Sequence, residues 1–233
     1  MSSRSRQTIR GAKGKARRAP VRSSTTDVPV MAIVVGVAML LIFAVLVVIG
    51  IRSHTSAPGA PTVQGSSGAI PCDQLEHAQV HYHVAVQILD SNGTLHPLPG
   101  GAGIIPNETA PSCFYWLHVH SANQDVIHIE APATRVFTLS DFFKIWDAYN
   151  TYENNGVGHE LMDTTHVSTL TVGTGQQMIV YVDLSDGKGP QVYEGDPAGI
   201  TLKAHEVITI EIVSGKPFTP PSFDWNSATN KGL

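Results

Sequence analysis

From Val30 to Ile51 the chain runs for twenty-two residues without a charge or a strongly polar side chain (VMAIVVGVAMLLIFAVLVVIGI). In a helix, at about 1.5 Å per residue, such a run crosses a hydrocarbon core of about 30 Å. A single transmembrane helix is therefore expected at 30–51. A cleaved secretory signal has an apolar core of roughly 7 to 15 residues behind a short basic lead. Both lengths here are greater, which favours an uncleaved anchor.

The charges on either side set its orientation. Residues 1–27 hold eight Lys or Arg against Asp27 alone, and Arg52 is the one base directly after the run. By the positive-inside rule the N-terminus is expected in the cytoplasm and the C-terminal body outside the cell membrane. The tail at 1–29 then serves as a topology signal and a contact for anionic lipid headgroups. The overall charge of −4 averages two segments of opposite sign, since residues 53–233 carry eighteen acids and six bases, a balance of −12. An acidic body repels phosphate, so nucleic acid is not expected as its partner.

Residues 52–70 are rich in Ser, Gly, Ala and Pro. They are expected as a flexible linker, because such a composition buries too little apolar surface to offset the entropy of ordering. An extracytoplasmic domain is expected at 71–223, followed by a C-terminal tail at 224–233.

Within that domain Val80–Leu89 alternates, with Val80, Tyr82, Val84, Val86 and Ile88 on one side and His81, His83, Ala85 and Gln87 on the other. This is a strand with one apolar face. Asn92-Gly93 suits a tight hairpin turn, returning along Leu95–Leu98. Phe114–His120 and Val126–Glu130 read as two more strands, and Thr138–Tyr149 as a short amphipathic helix with a Thr/Ser cap, an early Asp and Leu139, Phe142, Phe143 and Trp146 on its apolar side. Further strands are expected at 167–172, 178–184, 191–193 and 207–213. The fold expected is mainly β, an antiparallel sandwich or barrel-like domain with one short helix.

The chemistry rests on the hairpin FYWLHVH…VIHIE. Tyr115, Leu117 and Val119 share one side with Ile127 and Ile129, and burying all five on one core requires odd-numbered residues to pair with odd. Paired positions in an antiparallel ladder sum to a constant, which a five-residue loop sets near 246. His118 should then face His128, with Trp116 opposite Glu130 and His120 on the same side. Opposed Cβ atoms lie about 4.5–5.5 Å apart, close enough for two imidazoles to reach one metal ion. If the strand with His81 and His83 neighbours this hairpin, five His and Glu130 line one surface. Three or four imidazoles with a carboxylate suit copper or zinc. The same cluster also suits a proton-sensitive patch, since imidazoles titrate near neutrality.

Cys72 and Cys113 are the only cysteines, which excludes a zinc site built from four cysteines and a disulfide-dense framework. Outside the cytoplasm they most simply form a disulfide. The rival is Cys113 as a thiolate ligand beside His118, as in blue-copper sites, but no Met occurs between Cys113 and Met162 to serve as the nearby axial ligand. His159-Glu160-Leu161-Met162-Asp163 begins like a zinc-protease helix, yet Asp163 stands where the second His is needed. His96 and His205 read as ordinary surface residues. No phosphate-binding Gly-rich loop and no Gly-x-Ser-x-Gly elbow is present.

The segments HYHVAVQI, CFYWLHVHSANQDVIHIEAP, FTLSDFFKIWDAY and YEGDPAGITLKAHEVITIEI together resemble a family of exported, membrane-anchored or lipoprotein-like bacterial proteins of actinobacterial type. Their cores read Cys-x-Tyr-Trp-Leu-His-x-His, then Val-Ile-His-x-Glu. The resemblance covers about residues 72–222, departs from the pattern at Asn150–Thr165, and implies an exported bacterial domain without supplying catalytic roles. The leading expectation is a metal-binding domain using His118, His120, His128, His81, His83 and Glu130 for capture, delivery or sensing. A metal-dependent hydrolase or oxygenase on the same face is the first alternative. A structural or partner-binding module without metal is the second.

Overall fold

The computed structural model describes residues 30–52, 59–154 and 159–233, so the basic tail expected at 1–29 and part of the expected linker lie outside the described residues. Helix α1 spans Val30–Arg52. Its side chains are described over 33–47 and are exposed there. Among the described residues no helix is long and apolar enough to cross a membrane.

The β domain contains β1 (Val63–Gly65), β2 (Gly68–Ile70), β3 (Cys72–Asp73), β4 (Val80–Leu89), β5 (Leu95–His96), β6 (Ile104–Ile105), β7 (Cys113–Tyr115), β8 (Leu117–His118) and β9 (Val126–Ala131). Helix α2 (Leu139–Asn154) follows, then β10 (Leu161–Met162), β11 (His166–Ser168), β12 (Leu170–Thr171), β13 (Gln177–Asp183), β14 (Gln191–Val192) and β15 (Glu206–Val213). The principal sheet has the order β14-β13-β15-β4-β9-β8, with β5 also on β4. It is open, with β14 and β8 at its ends, so the barrel-like form does not close. Three smaller sheets, β1-β2, β3-β7-β6 and β10-β11-β12, stand beside it.

Two further features differ from the sequence expectation. The central pair β15 and β4 is parallel, with Glu206 opposite Val84 and Glu211 opposite Leu89. A parallel pair needs a long crossover, and the whole stretch between β4 and β15, α2 included, supplies it. The strand expected at 114–120 divides at Trp116, with β7 pairing β3 and β6 while β8 pairs β9. Similarly, 167–172 is a hairpin of β11 and β12, turned by Ser168 at φ 54°.

The apolar side of the principal sheet (Val84, Val86, Ile88, Leu117, Ile127, Ile129, Ile208, Ile210) forms one core with Phe142, Phe143 and Trp146 of α2. Each large side chain sealed there contributes roughly 1.5–3 kcal/mol. The start of α2 follows the capping rule: the Asp141 carboxylate accepts from the Thr138 N–H at 3.0 Å. Both Asp141 oxygens also accept from Ser66, one from its backbone N–H and one from its hydroxyl, each at 2.6 Å. That clamp explains why part of the expected linker is ordered: β1 and β2 form a hairpin against α2, with Val63 and Ile70 buried.

The 224–233 tail also folds back. Asn123 donates to the Thr229 carbonyl, His205 Nε2 lies 2.9 Å from the Leu233 carbonyl, and Trp225 packs on the His205 ring. Upstream of it, the Phe218 N–H donates to Glu211 at 3.0 Å. Glu211 lies on the sheet face opposite the core, on the same side as Thr209 and Gln87, which are hydrogen-bonded to each other at 3.0 Å.

Candidate metal centre

The ladder parity expected of the hairpin is present. Leu117 faces Ile129 and His118 faces His128, the register summing to 246, and the Glu130 N–H donates to the Trp116 carbonyl at 2.8 Å. Tyr115, Leu117, Val119, Ile127 and Ile129 are all fully buried. Strand β4 lies on the other side of β9, with His83 opposite His128 and His81 opposite Glu130. All five histidines and Glu130 therefore share the face away from the core. His120 lies beyond the ladder, but its backbone stays extended (φ −91°, ψ 145°), so alternation continues and its ring reaches His118.

The ligand-bearing atoms converge closely. His118 Nε2 and His120 Nε2 are 3.2 Å apart, and Glu76 Oε1 lies 3.5 Å from the first and 3.4 Å from the second. Zinc–nitrogen and zinc–oxygen bonds of about 2.0–2.2 Å arranged tetrahedrally place ligand atoms about 3.3–3.6 Å apart. The three atoms thus form a triangle of nearly the size of one face of a zinc or copper coordination tetrahedron. On the neighbouring side His81 Nε2 is 3.1 Å from His83 Nε2 and 3.2 Å from Glu130 Oε1. Between them stands His128, its ring centroid 4.5 Å from His83, 4.7 Å from His120 and stacked 5.6 Å from His118. Its Nε2 is buried without a hydrogen-bond partner.

The supporting contacts fix which nitrogen faces inward. His118 Nδ1 is 2.9 Å from the Tyr115 carbonyl, which can only accept, so Nδ1 carries the proton and Nε2 offers its lone pair. Glu108 Oε1 holds His120 Nδ1 at 2.9 Å in the same way and is itself fixed by the Ser121 N–H at 2.8 Å. Ligating histidines are ordinarily oriented by such partners. Burial foremost, and then the charges of His128 and His81, push His83 down to about 3. Burial likewise lowers His128. Both are neutral and ready to ligate at neutral pH. Glu76, with Glu108, raises His120, and when the imidazoles carry a second proton, on Nε2, hydrogen bonds from His118 and His120 hold the Glu76 carboxyl well below the usual carboxylate range; a metal ion would take the place of those protons. Burial works to raise Glu130, but His128 and His118 outweigh it and the net shift is downward.

Glu76 and Glu108 are the residues sequence reasoning missed. Both come from irregular loops, where no periodicity marks a facing direction. Glu76 is delivered by the disulfide end of the domain. Cys72 and Cys113 are joined with Cα atoms 5.3 Å apart, closing a separation of 41 residues, which removes Cys113 as a thiolate ligand. Strand β3 then pairs with β7, and Asp73 accepts from Trp116 Nε1 at 2.7 Å while lying 2.8 Å from His77 Nε2. The following turn brings Glu76 over His118 and His120. On the other flank the Gly-rich loop runs as a substitute strand, with Gly103 accepting from the Tyr115 N–H and Ala102 from the Val119 N–H. Gly103 has φ +85°, and a Cβ there would lie 2.6 Å from the Leu117 carbonyl oxygen and 3.0 Å from His118 Cβ.

Among the described residues, His159 and His96 lie apart from this cluster. His159 is exposed beside Asp147, and Glu160 is held by Asn150 and Ser168 rather than placed on a helix, so the protease-like motif assembles no site. His96 pairs with Asp90 on the surface. No protein-family model matches the chain, and no curated protein and no solved structure is similar enough to count as a match.

Proposed function

We propose that the chain is a membrane-anchored, extracytoplasmic domain that binds a transition metal, copper or zinc, through His118, His120 and Glu76 with His128 and Glu130 alongside, for capture, delivery or sensing. The observation that carries this is the triangle of His118 Nε2, His120 Nε2 and Glu76 Oε1, with edges of 3.2, 3.4 and 3.5 Å. Support also comes from His128, which is 6% exposed and whose Nε2 has no hydrogen-bond partner. Imidazoles serving only as polar filling would each be satisfied by backbone or side-chain partners. The anchor and its orientation are supported by the apolar run at 30–51 and the basic excess before it. The wording CFYWLHVH…VIHIE supports a kinship with exported actinobacterial-type proteins.

The test is elemental analysis of the detergent-purified full chain after exposure to copper and zinc and removal of free ion. About one ion or more per chain is expected, falling sharply in His118→Ala/His128→Ala. A stoichiometry near zero ends the proposal.

A further inference from the structure

Four of the five histidines form two His-x-His pairs, and the fifth, His128, stands with each. The ligand atoms of His81, His83 and His128 lie within 4.8 Å of one another, as do those of His118, His120 and His128 and those of Glu76, His118 and Glu130. Two ligand atoms on the same metal, each about 2.0–2.1 Å from it, are at most about 4.2 Å apart. Each pair has that spacing, 3.1 Å in the first and 3.2 Å in the second, and each has a carboxylate beside it, Glu130 for His81 and Glu76 for His118 and His120.

We infer that this face is a dinuclear centre: one ion held by His118, His120 and Glu76, a second held by His81, His83 and Glu130, with His128 between them. This rests on the metal-binding reading above and extends it from one ion to two. The backbone dictates the separation. His118 on β8, with His120 just beyond it, and the pair on β4 flank β9 from opposite sides, two strand spacings or about 9.6 Å apart at the backbone, and their rings lean in over His128 between them. A neutral imidazole has a single lone pair, so His128 completes one of the two sites. Glu130 has two oxygens and appears in both neighbourhoods, with Oε1 3.2 Å from His81 Nε2 and the residue also grouped with Glu76 and His118. It is therefore the group able to touch both ions. Charge favours double occupancy, since Glu76, Glu130 and the adjoining Glu108 offset most of the repulsion between two dications in an acidic domain.

The full chain, purified in detergent, is titrated with Cu(II) and separately with Zn(II), and bound ion is counted by elemental analysis and native mass spectrometry. Two ions per chain are expected, with the Cu(II) form showing a spin-coupled electron paramagnetic resonance spectrum. His81→Gln/His83→Gln should bind one ion and lose the coupling, while retaining affinity for that ion within about tenfold. His118→Gln/His120→Gln should bind the other. Saturation of the wild type at one ion overturns the dinuclear centre and leaves the single-site reading standing. No ion at all overturns both. Two ions without coupling, or two ions surviving in His81→Gln/His83→Gln, place the second ion elsewhere and also overturn it. The wild-type counts and spectrum decide the matter even if a variant fails to fold.

Discussion

Replacing Glu76 by Gln separates the loop carboxylate from the histidines it faces. Its oxygen lies 3.4 and 3.5 Å from the two Nε2 atoms, so an ion bonded to all three sits about 2.1 Å from it. A unit negative charge and a dication at that distance attract by about 4 kcal/mol even at the dielectric constant of water. Water is the right reference, because the Glu76 side chain is 40% exposed. A neutral amide oxygen recovers part of this, which leaves an expected loss of about 10²- to 10³-fold in affinity. The assay is competition for Zn(II) against a chromophoric chelator at pH 7, with the full chain in detergent. A second readout needs no metal. Glu76 is the foremost group raising His120, so the His120 titration followed by NMR should shift to lower pH in the metal-free Glu76→Gln variant. Affinity within about threefold of wild type, together with an unmoved His120 titration, would refute the assignment of Glu76 as a ligand.

Three other outcomes are expected. Cys72→Ala/Cys113→Ala should lose about 4 kcal/mol of stability to denaturant, as the chain-entropy picture gives for a loop of this length, and should weaken metal binding as the turn bearing Glu76 loosens; unchanged affinity would show that the turn is held without the bridge. Gly103→Ala should destabilise by at least about 1 kcal/mol, from positive φ and the 2.6 Å approach to the Leu117 carbonyl, and should displace His118, read as a lower melting temperature together with weaker metal binding. Burial pushes the Glu211 carboxyl up, and its Oε1 is buried without a partner. A raised folded-state value means that its contribution is fully present below the ordinary carboxylate range and is lost as pH rises through the raised value. Glu211→Gln should therefore match wild type in stability near pH 4 and exceed it at pH 7 by about 1–3 kcal/mol, as urea denaturation would measure.

What could be read in advance was whatever depends on local alternation. In a strand successive side chains take opposite faces, so burying Leu117, Val119, Ile127 and Ile129 together leaves one parity for the hairpin, and His118 must face His128. The Asp141 cap and the apolar side of α2 follow from equally local rules. The β1-β2 hairpin at the end of the expected linker has no mark in composition, because what holds it is Asp141, distant in sequence, whose carboxylate secures Ser66.

The amino-acid order by itself determined the apolar run, the segregation of charge, the strand faces and the pairing of His118 with His128, because each is set by periods of two or 3.6 residues or by composition. Only the tertiary structure decided that β4 would lie against β9, adding His81 and His83 to the same face, that β15 would join β4 in parallel, and that Glu76 and Glu108 would close over the imidazoles. Strand adjacency and loop approach are fixed by burial and hydrogen bonding summed across the whole domain, and that sum leaves no repeating mark along the chain.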